Sequence, residues 1–235
     1  MDKVQLLYEG KAKKVYSTMK GDVCVVSYKD DATAFNGEKR GIITGKGEVN
    51  NRMSNMMFQL LEKYGVTTHY VEQLNARETL VKSVDIVPLE VIVRNVAAGS
   101  FCKRFGVQEG TILKSSTLEY CLKDDNLGDP MINTSQILAL ELATQEELTK
   151  MAEIAAKVNQ VLTEYLDKIN VRLIDFKIEL GRYKGDIILA DEISPDTCRF
   201  WDKQTNKKLD KDRFRRDLGE VEEVYHEMLD RIIHS

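Results

Sequence analysis

Charged and apolar side chains alternate in the first half of residues 173–196, a stretch that is typical of a β-hairpin. On the first strand Asp175, Lys177 and Glu179 share one face, and apolar residues occupy the positions between them. This period of two indicates a half-buried strand, because successive strand side chains point to opposite faces. The return strand is apolar until it reaches Asp191. Acids and a lysine gathered on one hairpin predict a site that holds a metal ion and phosphate.

The pairing of the two strands follows from a turn that we place over residues 181–185. If Leu180 pairs with Asp186, then Asp175 faces Asp191, and directly opposed residues lie about 5 Å apart. Two like charges at that distance destabilise a sheet unless a cation lies between them. Mg²⁺ is the expected cation, because it prefers carboxylate and phosphate oxygens.

A surface hairpin with ordinary salt bridges is the plainer alternative, and Lys177 would then be the counter-charge of the acids. The segment that follows, residues 194–199, contains serine, aspartate, threonine and arginine. These side chains bind anions and metal-bound ligands, so the segment favours a functional site over a surface hairpin.

A second candidate is the turn in residues 8–16, where Gly10 is followed by Lys11, Lys13 and Lys14. Glycine lets backbone N–H groups approach an anion closely, and the lysines add positive charge. The turn lacks the G-x-x-x-x-G-K-[ST] pattern of a Walker A loop, and no helix follows it. It is similar to the hairpin that covers a two-lobed nucleotide site, although a solvated lysine turn is the alternative.

A third candidate is the passage from the strand that carries Arg94 into a short helix, with Ser100 at the expected N-cap. Helix N-termini bind phosphate through their free N–H groups. A capped helix with solvated basic residues is the alternative. A fourth charged group lies after the hairpin: Asp196, Arg199, Lys211 and Arg215. Together the four groups predict a magnesium–nucleotide site and a second ligand with phosphate and carboxylate groups, with catalysis by positioning and electrostatics.

The elements that position these residues change character along the chain. Predicted strands cover residues 4–9, 15–18, 23–28, 69–74, 79–84, 90–96 and 117–123, with a loop over 30–47. Predicted helices cover residues 49–64, 100–105, 148–169 and 218–232, the third after a capping box at 144–147. Strands cluster early and helices late, and Pro88 breaks the strand pattern. We therefore predict an α+β chain with two lobes, residues 1–87 and 88–235.

Composition excludes several function classes. The chain has 235 residues, 31% of them charged, and a net charge of −4, so no overall basic field indicates nucleic acid as a partner. No apolar run approaches the roughly 20 residues that span a bilayer, and the first residues do not resemble a signal peptide. We expect a cytoplasmic protein with no membrane partner. The four cysteines form no C-x-x-C pair, so we expect reduced thiols.

Several motifs resemble those of the SAICAR synthetase family of purine biosynthesis. The most specific are Leu-Ile-Asp-Phe-Lys-Ile-Glu at 173–179, Leu-Ala-Asp-Glu-Ile-Ser-Pro-Asp at 189–196 and Arg-Phe-Trp-Asp at 199–202. Others are Tyr-x-Gly-Lys-Ala-Lys at 8–13, Gly-x-Val-Asn-Asn at 47–51, Pro-Leu-Glu-Val-Ile-Val-Arg-Asn at 88–95 and Ala-Ala-Gly-Ser at 97–100. The resemblance therefore runs through nearly the whole chain.

The resemblance implies an enzyme, an ATP-dependent carbon–nitrogen ligase. The ligase would condense carboxyaminoimidazole ribotide (CAIR) with L-aspartate to give SAICAR, ADP and phosphate through an acyl phosphate. It implies a two-lobed, ATP-grasp-like fold, with a smaller β-rich N-terminal lobe, a larger α+β C-terminal lobe and ATP between them. Mg²⁺ is the implied cofactor, and a homodimer is expected.

The resemblance also implies roles for individual residues. For ATP these are Gly10, Lys11 and Lys13 on the phosphates, Lys123 nearby, and Lys82 to Val84 along the adenine. For the substrate they are Arg94, Ser100, Asp129, Asp196, Arg199, Lys211 and Arg215. Lys177 and Asp175 would be catalytic, and Glu179 and Asp191 would bind Mg²⁺. The resemblance thus assigns Glu179 to the metal, whereas the predicted register pairs Asp175 with Asp191, and both assignments stay open.

Two other functions fit the same motifs. A small-molecule kinase could use a similar two-lobed site to pass phosphate to a hydroxyl group, and aspartate-dependent ADP release separates it from a ligase. A nucleotide-sensing or protein-binding module is the third candidate. The acid-bearing hairpin argues against a sensor, because binding alone requires no acid cluster for phosphoryl transfer.

Overall fold

The computed structural model describes residues 2–34 and 37–234. The N-terminal elements are β1 (Leu6–Glu9), β2 (Lys13–Ser17), β3 (Val23–Tyr28), β4 (Asp31–Ala34), β5 (Lys39–Ile42), α1 (Lys46–Lys63), β6 (Tyr70–Gln73) and β7 (Glu78–Lys82). The elements that follow are β8 (Asp85–Val96), α2 (Ser100–Phe105), β9 (Ile112–Leu122), β10 (Met131–Ile132), α3 (Thr134–Ala139), α4 (Gln145–Lys168), β11 (Val171–Tyr183), β12 (Asp186–Ala190), β13 (Cys198–Asp202), α5 (Asp212–Arg215) and α6 (Val221–Ile233).

Two antiparallel sheets form the framework. One runs in the order β1-β2-β3-β7-β6, and the other in the order β10-β9-β8-β11-β12, with β13 also paired to β11. The chain crosses from the first sheet to the second between Lys82 and Asp85. This mixed arrangement of helices and sheets confirms the predicted α+β class. None of the described helices combines the length and apolar character needed to cross a membrane.

The main hydrophobic core lies between one face of the second sheet and the helices α1, α4 and α6. Helix α4 begins with the predicted capping box, in which Thr144 and Glu147 exchange side-chain and backbone hydrogen bonds. The predicted apolar stripe is buried at Leu148, Met151, Ala155, Val158 and Leu162, and it is partly buried at Tyr165 and Ile169. Leu166, which was not predicted, is buried as well. Because the core takes one face of the sheet, the charged residues of β8 and β11 are left on the other.

Two predictions about the N-terminal half were wrong. Residues 30–47 are not a loop, because β4 and β5 pair with each other there and α1 begins at Lys46. Pro88 does not interrupt a strand but lies inside β8. A proline is tolerated at that point because the pairing of β8 with β11 shifts between Ile86 and Glu90, where the regular hydrogen-bond ladder is broken.

The register predicted for the hairpin was also wrong. Strand β11 continues to Tyr183, and the turn contains only Lys184 and Gly185, with φ angles of 50° and 85°. Two-residue turns of left-handed conformation match the twist of antiparallel strands. Leu180 therefore pairs with Leu189, three positions from the predicted partner. As a result Asp175 does not face Asp191.

Since that turn sets the register, Gly185→Ala is expected to lower the free energy of unfolding by about 1 kcal/mol, because an L-residue is strained in the left-handed region. Gly21→Ala is the matched control, since open space surrounds both glycines and only Gly185 has a positive φ angle. Urea unfolding of both variants measures the difference. Equal losses in the two variants would show that the turn conformation is not the cause.

Candidate active site

A continuous cleft lies between the two sheets and has two compartments. The larger has a volume of about 540 Å³ and the smaller about 340 Å³. Lys177 and Glu90 line both, so they stand where the compartments meet. Several of the site residues predicted from the sequence line the larger compartment: Gly10, Lys11, Lys13, Lys82, Val84, Lys123, Asp129, Glu179 and Asp191. The smaller compartment is lined by Arg94, Ser100, Asp175, Arg199 and Arg215. Three further predicted residues line both compartments: Lys11, Asp196 and Lys211.

The floor of the cleft is the charged face of β8 and β11. In their antiparallel register Arg94 lies opposite Asp175, and Glu90 lies opposite Glu179. The first pair is an ion pair with a distance of 2.7 Å between Arg94 Nη1 and Asp175 Oδ2. The second pair sets two like charges face to face. A facing pair of carboxylates destabilises a sheet unless a cation joins them, and Lys177, two positions before Glu179, is that cation.

Lys177 is bound by three acids. Its Nζ lies 2.7 Å from Glu179 Oε1, 3.2 Å from Glu90 Oε1 and 3.6 Å from Asp191 Oδ2. Burial by itself disfavours the ammonium, but the three carboxylates outweigh it and raise the pKa of Lys177 well above its ordinary value. Lys177 is therefore a permanent positive charge, and it cannot act as a general base near neutral pH.

Asp191 is held in an unusual backbone conformation directly after β12. Its φ angle is 62°, in the left-handed region that non-glycine residues seldom adopt, and such strain is concentrated at functional sites. Its carboxylate contacts Lys13, which comes from the first sheet, as well as Lys177. Burial opposes ionisation, but attraction to Lys13 and Lys177 lowers the pKa of Asp191 below its ordinary range. Asp191 is therefore an anion shared by the two lobes.

The residue that meets Asp191 at Lys177 is Glu179, whereas Asp175 is bonded to arginines in the smaller compartment. Among the described residues no cluster of three or more His, Cys, Asp or Glu side chains could hold a metal ion. A cation bound by Glu179 and Asp191 would thus take its other ligands from water or from a bound molecule. Mg²⁺ is usually held in that way, by one or two carboxylates together with phosphate oxygens, so the donor set fits it.

The far end of the larger compartment is apolar. Its walls come from the first sheet and from the start of the second: Leu7, Val15, Val26, Val81, Val84 and Ile86. Lys123 lies away from these walls, with its Nζ 2.9 Å from Glu179 Oε1, whereas Lys82 is next to Val81 in the apolar wall. Asp129 lies in this compartment, apart from most of the other residues predicted to bind substrate. A flat aromatic group and a polyphosphate would match the two ends.

The smaller compartment is lined by arginines. Asp175 joins two of them, since its Oδ2 accepts a hydrogen bond from Arg94 at 2.7 Å and another from Arg199 at 2.8 Å. The prediction that Ser100 is the N-cap of α2 was wrong, because Gly99 holds that position. The Ser100 hydroxyl instead accepts hydrogen bonds from Arg94 and Arg104. Planar guanidinium groups suit phosphate and carboxylate ligands.

Asp196 lies where the compartments meet and is held from behind by residues that the sequence did not reveal. Its carboxylate accepts hydrogen bonds from Lys46 at 2.7 Å and from Tyr225 at 2.6 Å. Lys46 is fully buried, although a charged residue at the start of a helix is normally read as solvent-exposed. Glu90 was not predicted either. It lies four residues before Arg94 on β8, so the alternation of strand side chains places both on one face and could have identified it.

Comparison with known proteins identifies a protein family that this chain matches. Residues 6–232 match the family model of SAICAR synthetase. A phosphoribosylaminoimidazole-succinocarboxamide synthase from Lachnoclostridium phytofermentans is 63% identical over 99% of both chains. The crystal structure of such a synthase from Ehrlichia chaffeensis has a TM-score of 0.96 and 44% identity, covering 97% of this chain and 98% of that one. A SAICAR synthetase in complex with ADP has a TM-score of 0.94 and 47% identity, covering 97% of each chain.

One acid behind the arginines gives a pH-dependent prediction. Burial, and then the nearby Asp212 carboxylate, raise the pKa of Asp210 to about 7. Between its unfolded pKa, about 4, and this folded value the native protein binds a proton that the unfolded chain has lost, so stability falls as the pH rises. Asp210→Asn should therefore reduce the loss of unfolding free energy between pH 5 and pH 7, as measured by urea unfolding at both values.

The control is Asp202→Asn. The Thr205 N–H, and after it the Arg231 guanidinium, lower the pKa of Asp202 against the opposing effect of burial, so its titration falls below this pH window. Asp202→Asn should leave the difference between pH 5 and pH 7 unchanged. If Asp210→Asn also leaves it unchanged, Asp210 is already ionised at pH 5.

Proposed function

Because the chain belongs to the SAICAR synthetase family, we propose that its larger compartment holds ATP and its smaller compartment holds CAIR. The family's reaction is the activity of this chain: an ATP-dependent ligase condenses CAIR with L-aspartate to give SAICAR, ADP and phosphate in purine biosynthesis. The observation that carries the placement is the meeting of an apolar, lysine-edged compartment with an arginine-lined one at Lys177.

The nucleotide assignment rests on the two ends of the larger compartment. The adenine would lie along Lys82 to Val84, beside the apolar walls, and Gly10, Lys11, Lys13 and Lys123 would contact the phosphates. Gly10 supports this arrangement, because a Cβ atom at that position would lie 2.8 Å from the Tyr8 ring. A larger residue at this position would require the exposed Tyr8 ring to move away.

The CAIR assignment rests on the arginines. Arg94, Arg199 and Arg215 would bind the phosphate and carboxylate groups of CAIR through their guanidinium groups, with Ser100 beside them. Asp196 and Lys211, which line both compartments, would contact the part of CAIR nearest the nucleotide. Asp175 would keep Arg94 and Arg199 apart and oriented, since it bonds both. Asp129 would then contact a substrate from the nucleotide side.

The chemistry requires activation of a carboxylate. An anionic carboxylate resists attack by an amine, because its oxygen is a poor leaving group. We propose that a CAIR carboxylate oxygen attacks the γ-phosphorus of ATP, which forms an acyl phosphate and releases ADP. The neutral aspartate amine then attacks the acyl carbon, the C–O bond to phosphate breaks, and the departing phosphate takes up the proton that the amine loses. Atoms and charges balance with no other reactant.

Lys177 would lower the barrier of the first step. The carboxylate and the γ-phosphate are both anions, and they repel each other as they approach. A fixed ammonium between them reduces that repulsion and gains strength in a site from which water is excluded. Glu90 and Glu179 keep Lys177 protonated and in place. The proposed catalysis is therefore by electrostatics and alignment, with no covalent enzyme intermediate.

Mg²⁺ would be held by Glu179 and Asp191. When bound, it would neutralise charge on the nucleotide phosphates.

The lobes are proposed as residues 1–87 and 88–235, close to the crossing between the sheets. A homodimer is also proposed, and the exposed apolar side chains of Ile112, Leu118 and Met131 on β9 and β10 support it. Analytical ultracentrifugation tests the oligomeric state.

A coupled assay with ATP, Mg²⁺, CAIR and L-aspartate tests the reaction. We expect ADP and SAICAR in equal amounts from the full mixture, and no SAICAR when any one component is omitted. Steady ADP release that does not depend on aspartate would favour a kinase. No ADP release in any combination would favour a sensor.

The metal assignment gives a paired prediction. Glu179→Gln should raise the Mg²⁺ concentration needed for half-maximal rate at least tenfold, because a ligand charge is lost. Asp175→Asn, an equally buried change on the same strand face, should raise KM for CAIR and leave the Mg²⁺ dependence near that of the unaltered enzyme. Titration of Mg²⁺ at saturating substrates measures both, and unchanged metal dependence in Glu179→Gln would overturn the assignment.

A further inference from the structure

A row of arginines and acids that alternate in charge runs along one wall of the smaller compartment, with some members in the wall and others behind it. In spatial order the row is Arg104, Glu119, Arg94, Asp175, Arg199, Asp212 and Arg215. Its members come from separate parts of the chain, on α2, β9, β8, β11, β13 and α5. The row therefore exists only in the folded protein, and each acid in it joins two arginines.

The bonds at one end of the row hold Arg94. Glu119 Oε1 lies 2.7 Å from Arg104 Nη2, and Glu119 Oε2 lies 3.0 Å from Arg94 Nε. The Nη1 group of Arg94 donates to Asp175 at 2.7 Å. Glu119 thus fixes the edge of the Arg94 guanidinium that points away from Asp175.

The bonds at the other end hold Arg199 and Arg215. Asp212 Oδ2 accepts a hydrogen bond from Arg199 Nε at 2.8 Å, and its Oδ1 accepts one from Arg215 Nη1 at 2.6 Å. Asp175 bonds the Nη1 group of Arg199. The Nη2 group lies so close to Gly99 that a Cβ atom there would be 2.4 Å away. The Arg199 guanidinium is therefore confined from three sides.

Glu119 and Asp212 differ from Asp175 in one respect: neither lines the cleft. Their side chains are 7% and 1% exposed, and they lie behind the arginines. We infer that Glu119 and Asp212 are positioning residues for CAIR, which act by fixing the guanidinium planes of Arg94, Arg199 and Arg215. The inference deepens the proposed function and rests on the assignment of these arginines to CAIR.

Charge and position make opposite predictions for these acids. Neutralising either acid makes the compartment more positive, which by itself would attract an anionic substrate more strongly. Neutralisation also frees a long side chain that has many rotamers, so the guanidinium planes lose their alignment. If position dominates, CAIR binds more weakly. If charge dominates, it binds more strongly.

The test uses Asp212→Asn and Glu119→Gln in the steady-state assay. Each should raise KM for CAIR about tenfold or more, a loss typical of small misplacements in a site, and leave KM for ATP within twofold. Asp202→Asn is the matched control, because Asp202 is a buried acid 2.8 Å from Arg231 that does not line the cleft. It should leave both KM values unchanged. A KM for CAIR that falls or stays constant in both acid variants would overturn the inference.

A double-mutant cycle separates this inference from the proposed function. Arg199→Gln alone tests the CAIR assignment, which fails if KM for CAIR does not rise. If Asp212 acts through Arg199 and Arg215, adding Asp212→Asn to a variant that carries both Arg199→Gln and Arg215→Gln should raise KM much less than it does in the unaltered chain. Additive effects would mean that Asp212 acts by some other route and would reject the inference while the CAIR assignment stands. Thermal melts of all variants identify any general loss of folding.

Discussion

The cleft depends on one partly buried ammonium that three carboxylates share. The register of β8 and β11 sets Glu90 facing Glu179, and like charges so placed repel each other. Lys123 contacts Glu179, but Lys177 contacts both acids and so joins them. The group that joins the facing acids is therefore also the positive charge at the junction of the two compartments.

The same interaction ties the lobes together. Asp191 is contacted by Lys177 from the second sheet and by Lys13 from the first. Breaking a buried ion pair on one side typically costs several kcal/mol, because the remaining charge is left unpaired. The left-handed backbone of Asp191 is a further cost, which the surrounding ion pairs offset. Asp191 thus brings a strained backbone and ion pairs from both sheets to the place where a charged ligand is proposed to bind.

Many residues of the site could be predicted from local sequence patterns, but the strand register that sets their partners could not. The period of two in β11 identified the face shared by Asp175, Lys177 and Glu179, because that period depends only on strand conformation. The register depended on a turn in which Lys184 adopts a left-handed conformation, and lysine gives no signal for one. The error of three positions is odd, so it paired residues that point to opposite faces of the sheet.

The acids behind the arginines escaped prediction for a different reason. In a sequence, Glu119 and Asp212 resemble ordinary surface charges, and only their partners from distant strands bury them. Lys46, fully buried on α1, is the same case. Charged residues become part of a site through tertiary contacts, and such contacts leave no periodic trace in the chain. The resemblance to a family identified the residues that line the cleft, but not those that hold them.

The two compartments also differ in the kind of cation they present, and the proposed reaction gives that difference a physical reason. The larger compartment has lysines, whose compact ammonium groups are point charges on flexible stems. The smaller has arginines, whose rigid forks are fixed by acids on both sides. A phosphoryl group that moves from ATP to a carboxylate would be followed by the flexible lysines, while Lys177 stays in place between the two anions. In the proposed placement the phosphate of the ribotide would stay where it is bound, so oriented guanidinium groups would hold it and thereby align the carboxylate for attack.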